Sequence, residues 1–535
     1  EEFLKNKSLF PIPPPLIEIN SRQFSVTVHH CKTTPSDYLN AAFKRVCRIH
    51  RGPSSGHILV FVPSQQEIKQ LCHLITEKFV SRQFSCPTNK HKSRADIFRW
   101  KDESSSDEEI YNDDETDDES SYNDCDINPI VVYPLFALLP KEQQNKIFEK
   151  VEPGFRKCIV STNVAETSLT IPGIKYIIDT GKVKNKVYDK ITGAEKYETT
   201  WCSKASAEQR KGRAGRTGPG HCYRLYSTAV FQYELPDFAV PDILKQSIQN
   251  VVLQMKCMNL DRIDKFPFPT LPNPIDVKKA EETLLTLGAI ETARTSIGMN
   301  TRATKLGRQM NCIPLLPRYS KMIIESISHG CAPYIIIIAA ALSVRELFID
   351  DLSLRSIDKK DSKNHSKVRS QLWGGKGIKR KLGDYMVMLN CIGACHKSDD
   401  LVSFCYQYGI RCKAIEEIRK LYQHINTQIL KMFNCKIADI YTLSQPSDNE
   451  VETIRKILTA CFKDQIARKI PKTSINYDKK ITLYECNNID SPLLIHQNSS
   501  CRHRNLEVLL FNELLEGNHL SMKGICEVEE DWAYS

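Results

Sequence analysis

Several things are missing from this 535-residue sequence, and each absence removes a class of protein. The longest apolar run, "YIIIIAAALSV" at 334 to 344, is about half the ~20 residues that a helix needs to cross a bilayer, and Arg345 and Glu346 follow at once. It predicts a buried helix and no membrane partner. The opening "EEFLKNKSLFPIPPP" has no basic region followed by an apolar one, so no secretory signal is expected in it, and it does not start with methionine, so the chain reads as an excised piece of a longer one. Twenty cysteines are present, but no CxxC pair and no regular spacing, which argues against a disulfide scaffold and for a reducing compartment. The tightest cluster, Cys391, Cys395 and His396, lacks a second ligand pair at zinc-site spacing and reads as helix packing. No G-x-x-x-x-G-K-[ST] phosphate loop occurs: "RGPSSGHI" lacks the lysine and the hydroxyl that hold phosphates and Mg²⁺. No Asp-Glu-x-His box occurs either.

What is present is ordinary for a soluble multi-domain chain: 41% hydrophobic and 26% charged residues, over a length that predicts three or four domains. Net charge is +10, although residues 102 to 128 hold thirteen Asp and Glu and no Lys or Arg. The remainder is correspondingly more basic, which suits a polyanion partner and equally suits solvated surface. The acidic block itself cannot bury enough apolar surface to fold, and predicts a disordered insertion over about 82 to 128. Ser104, Ser105 and Ser106 each precede an acidic residue by three positions, so phosphorylation would deepen its charge.

From about residue 22 to 228 short β-rich runs ("FSVTVHH", "HILVFVP", "PIVVYPLF", "KCIVST", "KYIIDTG", "HCYRLYS") alternate with helical patterns, the signature of a parallel α/β sheet. "DKITGAEKYETTW" predicts a β-hairpin over about 187 to 201. Periodic apolar positions then indicate short helices to about 303 and longer ones from 304 to 470. Beyond 471, "KKITLYE", "SPLLIHQ" and "EVLLFNELLEG" fit a small barrel.

Two stretches carry chemistry. In "AEQRKGRAGRTG" a continuing helix would set Gln209, Arg213 and Arg216 at i, i+4 and i+7, on one face, with Gly212 and Gly215 leaving room for an anion. Guanidinium groups meet phosphate oxygens in bidentate fashion. In "IVSTNVAETSLTIPGIKYIIDTG" an apolar strand runs into hydroxyl-rich sequence, so Thr162, Thr167, Ser168 and Thr170 emerge at the edge where α/β sheets bind ligands; capping of a short helix is an equal reading of the same hydroxyls.

Together, "STNVAETSLTIPG" and "QRKGRAGRTGPGHCYRLYS" resemble motifs V and VI of DEAH-box RNA helicases, in order and at family spacing. "LVFVPSQQEI" resembles motif IV, and "YPLFALLPKEQQNKIF" the conserved segment after it. "KVRSQLW", "LGDYMVMLNCIGAC" and "RCKAIEEIRKLYQ" are most similar to the nucleolar branch that works in small-ribosomal-subunit biogenesis.

The resemblance implies an α/β RecA-like domain (1 to 230), a winged helix (231 to 303), a ratchet-like helical bundle (304 to 470) and an OB-fold (471 to 535), with the first RecA-like domain missing. It implies Arg213 and Arg216 as fingers on the γ-phosphate of ATP, Gln209 placing phosphate or water, Phe148 stacking on adenine, and Ser168 and Thr170 near the nucleotide. Thr162, Asn163 and Ser64 fall at the RNA backbone. Mg²⁺ ligands would belong to the missing domain. The implied partners are single-stranded RNA, in particular pre-ribosomal and small nucleolar RNA, with pre-ribosomal proteins and an activating protein, in the nucleolus; the hairpin is the candidate strand separator. Two departures stand out. Pro172 occupies a place often acidic in the family, and Pro63-Ser64-Gln65 replaces the common Thr-Gly-Gln, removing a backbone donor. A non-catalytic RNA-binding or assembly module descended from a helicase, and a DNA-acting helicase, are the competing expectations.

Overall fold

The computed structural model describes residues 7, 9–17, 24–79, 129–139, 141–167, 169–188, 195–260, 262–295, 298–344, 346–349, 365–471, 482–516 and 519–533. The expected acidic insertion therefore lies outside the described residues. The chain divides into two compact bodies: Leu16–Lys186 with Tyr197–Val240, and Pro241–Ser535 with Glu1–Pro15 and Val187–Lys196.

In the first body, the elements run β1 (Val26–His30), α1 (Tyr38–Arg51), β2 (His57–Phe61), α2 (Gln65–Phe79), β3 (Ile130–Leu135), α3 (Lys141–Asn145), β4 (Arg156–Ser161), α4 (Val164–Thr167), β5 (Ile174–Asp179), β6 (Lys182–Tyr188), β7 (Glu195–Trp201), α5 (Lys204–Gly212) and β8 (Gly220–Arg224). Six strands form one sheet in the order β1-β8-β5-β2-β4-β3, every pair parallel. Central strands read as near-continuous apolar runs because both of their faces are covered. Alternation along β2 shows how. Ile58 and Val60 pack with Ala42, Val46 and Ile49 of α1 and Ile68, Leu71 and Ile75 of α2, whereas Leu59 and Phe61 pack with Ala165, Ile171 and Ala214 on the opposite face. Register places Phe61 opposite both Ser161 and Asp179, so the C-terminal ends of β2, β4 and β5 share one edge. β6 and β7 pair as the expected hairpin, with Asn185 donating to Thr200 at 3.0 Å; residues 189 to 194 at its turn lie outside the described residues.

The second body begins with helices Gln249–Cys257 and Pro274–Thr286 around a small core that includes Val252, Leu284 and Ile290, beside the antiparallel pair Ile290–Thr295 and Gly298–Ala303. A larger helical core follows. The apolar run forms the helix Ala332–Ser343, whose Ile335, Ile336 and Ile338 are fully buried. Among the described residues no helix is long and apolar enough to cross a membrane. Cys391 and Cys395 pack into this core, and His396 Nδ1 accepts from Arg419 Nε at 3.0 Å. Among the described residues, seven short strands complete the body. The first, Ile466–Lys469, lies ahead of residue 471 and pairs with Tyr484–Cys486 and Val508–Leu510. A bidentate ion pair from Arg318 to Asp464, both contacts 2.6 Å, joins the helices to this β layer.

Candidate functional site

The site grows from the shared strand edge of the first body. β4 ends at Ser161, where Thr162 N–H donates to Leu135 O at 3.1 Å and the single turn α4 carries Glu166 back over the edge. β5 ends at Asp179, which is fully buried. α5 starts at the cap Ser203, whose hydroxyl accepts from Ser206 N–H at 3.1 Å.

The three arginines of "EQRKGRAGRTG" have different fates. Arg210 is 1% exposed and donates to Asp179 at 2.7 Å and Glu166 at 3.1 Å. Asp179 also accepts from Tyr226 OH at 3.0 Å and Gly181 N–H at 2.9 Å. Burial works against the Arg210 charge, but Asp179 and Glu166 outweigh it and hold the guanidinium above its ordinary pKa. Arg210 is therefore a clasp between the two stretches quoted above. Asp179 and Glu166 are the residues that sequence reasoning missed, although both stand within the quoted "VAET" and "IIDTG".

The expected helical face through Arg216 is corrected. α5 ends at Gly212, with Arg213 as its C-cap. The chain leaves the helix because Gly215 O accepts from Phe24 N–H at 2.9 Å, tying it to the lead into β1. A Cβ at Gly215 would stand 2.6 Å from Phe24 O and 2.9 Å from Val26 Cγ2, so that glycine serves strand approach and leaves no space for an anion. Arg213 and Arg216 converge nonetheless. Both line a shallow recess with Leu59, Ala165, Leu169, Ile171 and Ile174. Arg213 Nη1 donates to Leu169 O at 3.1 Å, and Arg216 Nη1 donates to Thr170 Oγ1. Burial and the neighbouring Arg216 charge both push the Arg213 pKa down, with Glu166 opposing them. Two cations thus share an apolar-walled recess, while the nearest acid is engaged by Arg210.

The other expected residues lie outside the lining of this recess. Gln209 is exposed on α5, outside the recess lining. Thr162 is half-buried and Asn163 exposed, with Asn163 O accepting from Glu166 N–H at 3.0 Å. Thr170 is exposed; Ser168 lies outside the described residues. Phe148 is 39% exposed and is not among the recess residues. Its flanks are pinned from below: the buried Lys157 ammonium donates to Ile147 O at 2.6 Å and to Glu149 O. Ser64 is a helix cap. Its backbone N–H donates to Glu67 at 3.0 Å and its hydroxyl accepts from Glu67 N–H at 3.3 Å, the reciprocal arrangement of a capping box, while the hydroxyl also donates to Glu67 at 2.8 Å.

The fold and this edge define a C-terminal helicase core with its accessory modules. Residues 112–218 match the helicase conserved C-terminal domain, 316–388 the ratchet-like helicase-associated domain HA2, and 454–535 the oligonucleotide/oligosaccharide-binding OB-fold. The chain is similar to the probable ATP-dependent RNA helicase DHX37 of Homo sapiens, at 38% identity over 99% of this chain and 51% of the relative. It is also similar to kurz of Drosophila melanogaster, named likewise, at 35% identity over 99% and 51%. A third relative, the probable ATP-dependent RNA helicase DHR1 of Saccharomyces cerevisiae, is 39% identical over 66% of this chain and 30% of its own. The chain belongs to the DEAH-box RNA helicase family. It spans about half the length of the curated relatives that it matches over nearly its whole length.

Proposed function

We propose that this chain is the C-terminal part of an ATP-dependent RNA helicase that translocates 3′ to 5′ on single-stranded RNA and remodels pre-ribosomal and small nucleolar RNA in the nucleolus, with pre-ribosomal proteins and an activating protein as partners. The observation that carries the reading is the pairing of Arg213 and Arg216 in one recess: neither forms an ion pair with a carboxylate among the described residues, and burial together with the Arg216 charge pushes the Arg213 pKa down. An incoming phosphate would oppose that shift. The donor set fits ATP, with two guanidinium groups for phosphate oxygens and an exposed aromatic, Phe148, for a base.

ATP, held with Mg²⁺ by the preceding domain, supplies the γ-phosphoryl group whose transfer to water drives the motor. Arg213 and Arg216 neutralise the charge on that group, and Gln209, exposed one helical turn before Arg213, orients the attacking water. Ser168 and Thr170 offer hydroxyls at the same edge. Thr162 and Asn163 hold RNA backbone, whereas Ser64 reaches it only by releasing Glu67. The β6–β7 hairpin is the strand separator.

The test uses the full-length protein on RNA duplexes with a 3′ or a 5′ overhang, and on matched DNA. ATP-dependent unwinding of the 3′-tailed RNA is the expected result. Unwinding only of DNA refutes the RNA assignment; no ATP-dependent unwinding refutes the motor, and that outcome with RNA binding retained establishes the assembly-module reading.

A further inference from the structure

Helix α1 carries no Asp or Glu, and its sequence "YLNAAFKRVCRIHR" places Lys44, Arg48 and Arg51 at i, i+4 and i+7. All three are exposed, while Ala42, Val46 and Ile49 on the other side are buried against the sheet. Arg45 extends the stripe inward, with its guanidinium 4.9 Å over the Tyr223 ring. Lys44, Arg48 and Arg51 pair with no carboxylate among the described residues. Nearby acids are engaged elsewhere: Asp37 caps α1 through Leu39 and Asn40 N–H, Glu67 holds Ser64 and Tyr38, and Glu77 stands 3.6 Å from His73. Side chains of the motif V and VI segments pack on the opposite face of the sheet, so this stripe is separate from the arginine recess.

The chain carries a polyanion of its own in sequence. α2 packs along α1 so that the Phe79 ring lies 4.7 Å from the His50 ring and Lys78 Nζ lies 5.4 Å over Phe43. Phe79 is the last residue of α2, and the block of thirteen acids and no Lys or Arg at 102 to 128 follows about two dozen residues later, before β3. Both its covalent ends thus leave the body whose α1 stripe is unpaired. A tether of this length holds the acids at an effective concentration on the order of millimolar, ahead of any ordinary competitor in solution.

We infer that the Lys44–Arg48–Arg51 face of α1 is the docking surface for this chain's own acidic block, residues 102 to 126. The contact is electrostatic and weakens as salt rises. It stands independently of the helicase reading, since it uses none of the motif residues. A free polyanion such as RNA competes for the same face, and phosphoserine at 104 to 106 strengthens the intramolecular contact.

The experiment treats the intact 535-residue chain with a water-soluble carbodiimide, which couples carboxylates to lysine amines without a spacer, and maps the products by mass spectrometry. Lys44 is the reporter. At low salt it couples to carboxylates within 102 to 126; at about 0.5 M salt, where the Debye length is only a few ångströms, the yield falls several-fold. The double variant Arg48→Gln/Arg51→Gln retains the reporter and lowers the yield in the same way. Coupling of the acids to other lysines while Lys44 stays unmodified, or a Lys44 yield untouched by the double variant, overturns the proposal. A second measurement separates RNA. Replacing the thirteen acids by Asn and Gln raises affinity for an oligouridylate several-fold, and Arg48→Gln/Arg51→Gln cancels that gain. If the double variant weakens RNA binding equally with and without the acids, the face is an RNA site and the intramolecular assignment fails.

Discussion

Within seven residues, three arginines perform different tasks, and burial tells them apart. Arg210 bridges the buried Asp179 and the half-buried Glu166, so its removal leaves Asp179 charged and without its ion-pair partner inside the protein. Arg210→Ala should cost about 3–5 kcal/mol of stability, read by urea unfolding of the chain, since breaking one side of a buried pair exposes the full desolvation penalty of the other. Lysine should not restore it, because one ammonium cannot reach Asp179 and Glu166 in the fork that Arg210 makes. Arg213→Ala should stay within about 1 kcal/mol of the parent, since it forfeits one partly exposed hydrogen bond to Leu169 O. The composition of the stretch was legible in the sequence, including the separation of Arg210 from its two neighbours. The acids that explain Arg210 were not, because Glu166 and Asp179 come close only when β4 and β5 end at one edge.

At the scale of elements, the parallel sheet, the hairpin and the buried apolar helix all followed from periodicity, and the structure contains each. The extent of α5 did not. Helical spacing carries Gln209, Arg213 and Arg216 down one face only if the helix continues, and it stops because Gly215 is drawn to Phe24, a partner nearly two hundred residues earlier. Ser64 shows the same limit, since a residue placed at RNA by resemblance is locally a capping box. Among the helices of the second body, burial and Arg419 together depress His396 to about 4, against a weaker opposing pull from Asp439. The unfolded chain, with histidine near 6.5, binds this proton more readily than the folded one, so stability must fall as pH drops from about 6.5 towards 4. Thermal melts across that window should show the decline, and His396→Gln should flatten it. An unchanged slope in the variant would assign the acid sensitivity to other groups.

For the whole molecule, the order of modules was read from family patterns along the chain, and family matches fall at 112–218, 316–388 and 454–535. On the proposed reading, the half of the site that would hold Mg²⁺ lies outside this sequence, which has no phosphate loop and no Asp-Glu-x-His box in 535 residues. The isolated chain should therefore bind single-stranded RNA weakly, with affinity falling steeply as salt rises, and turn over no ATP; robust turnover by the purified chain would contradict this division of labour. The most direct measurement is RNA-stimulated ATP hydrolysis by full-length protein carrying Arg213→Ala or Arg216→Ala, alongside its melting curve. Turnover should fall by about 10³-fold or more, the scale of lost arginine fingers, with melting unchanged. Turnover within a few-fold of the parent in both variants would show that this recess does not receive the phosphate.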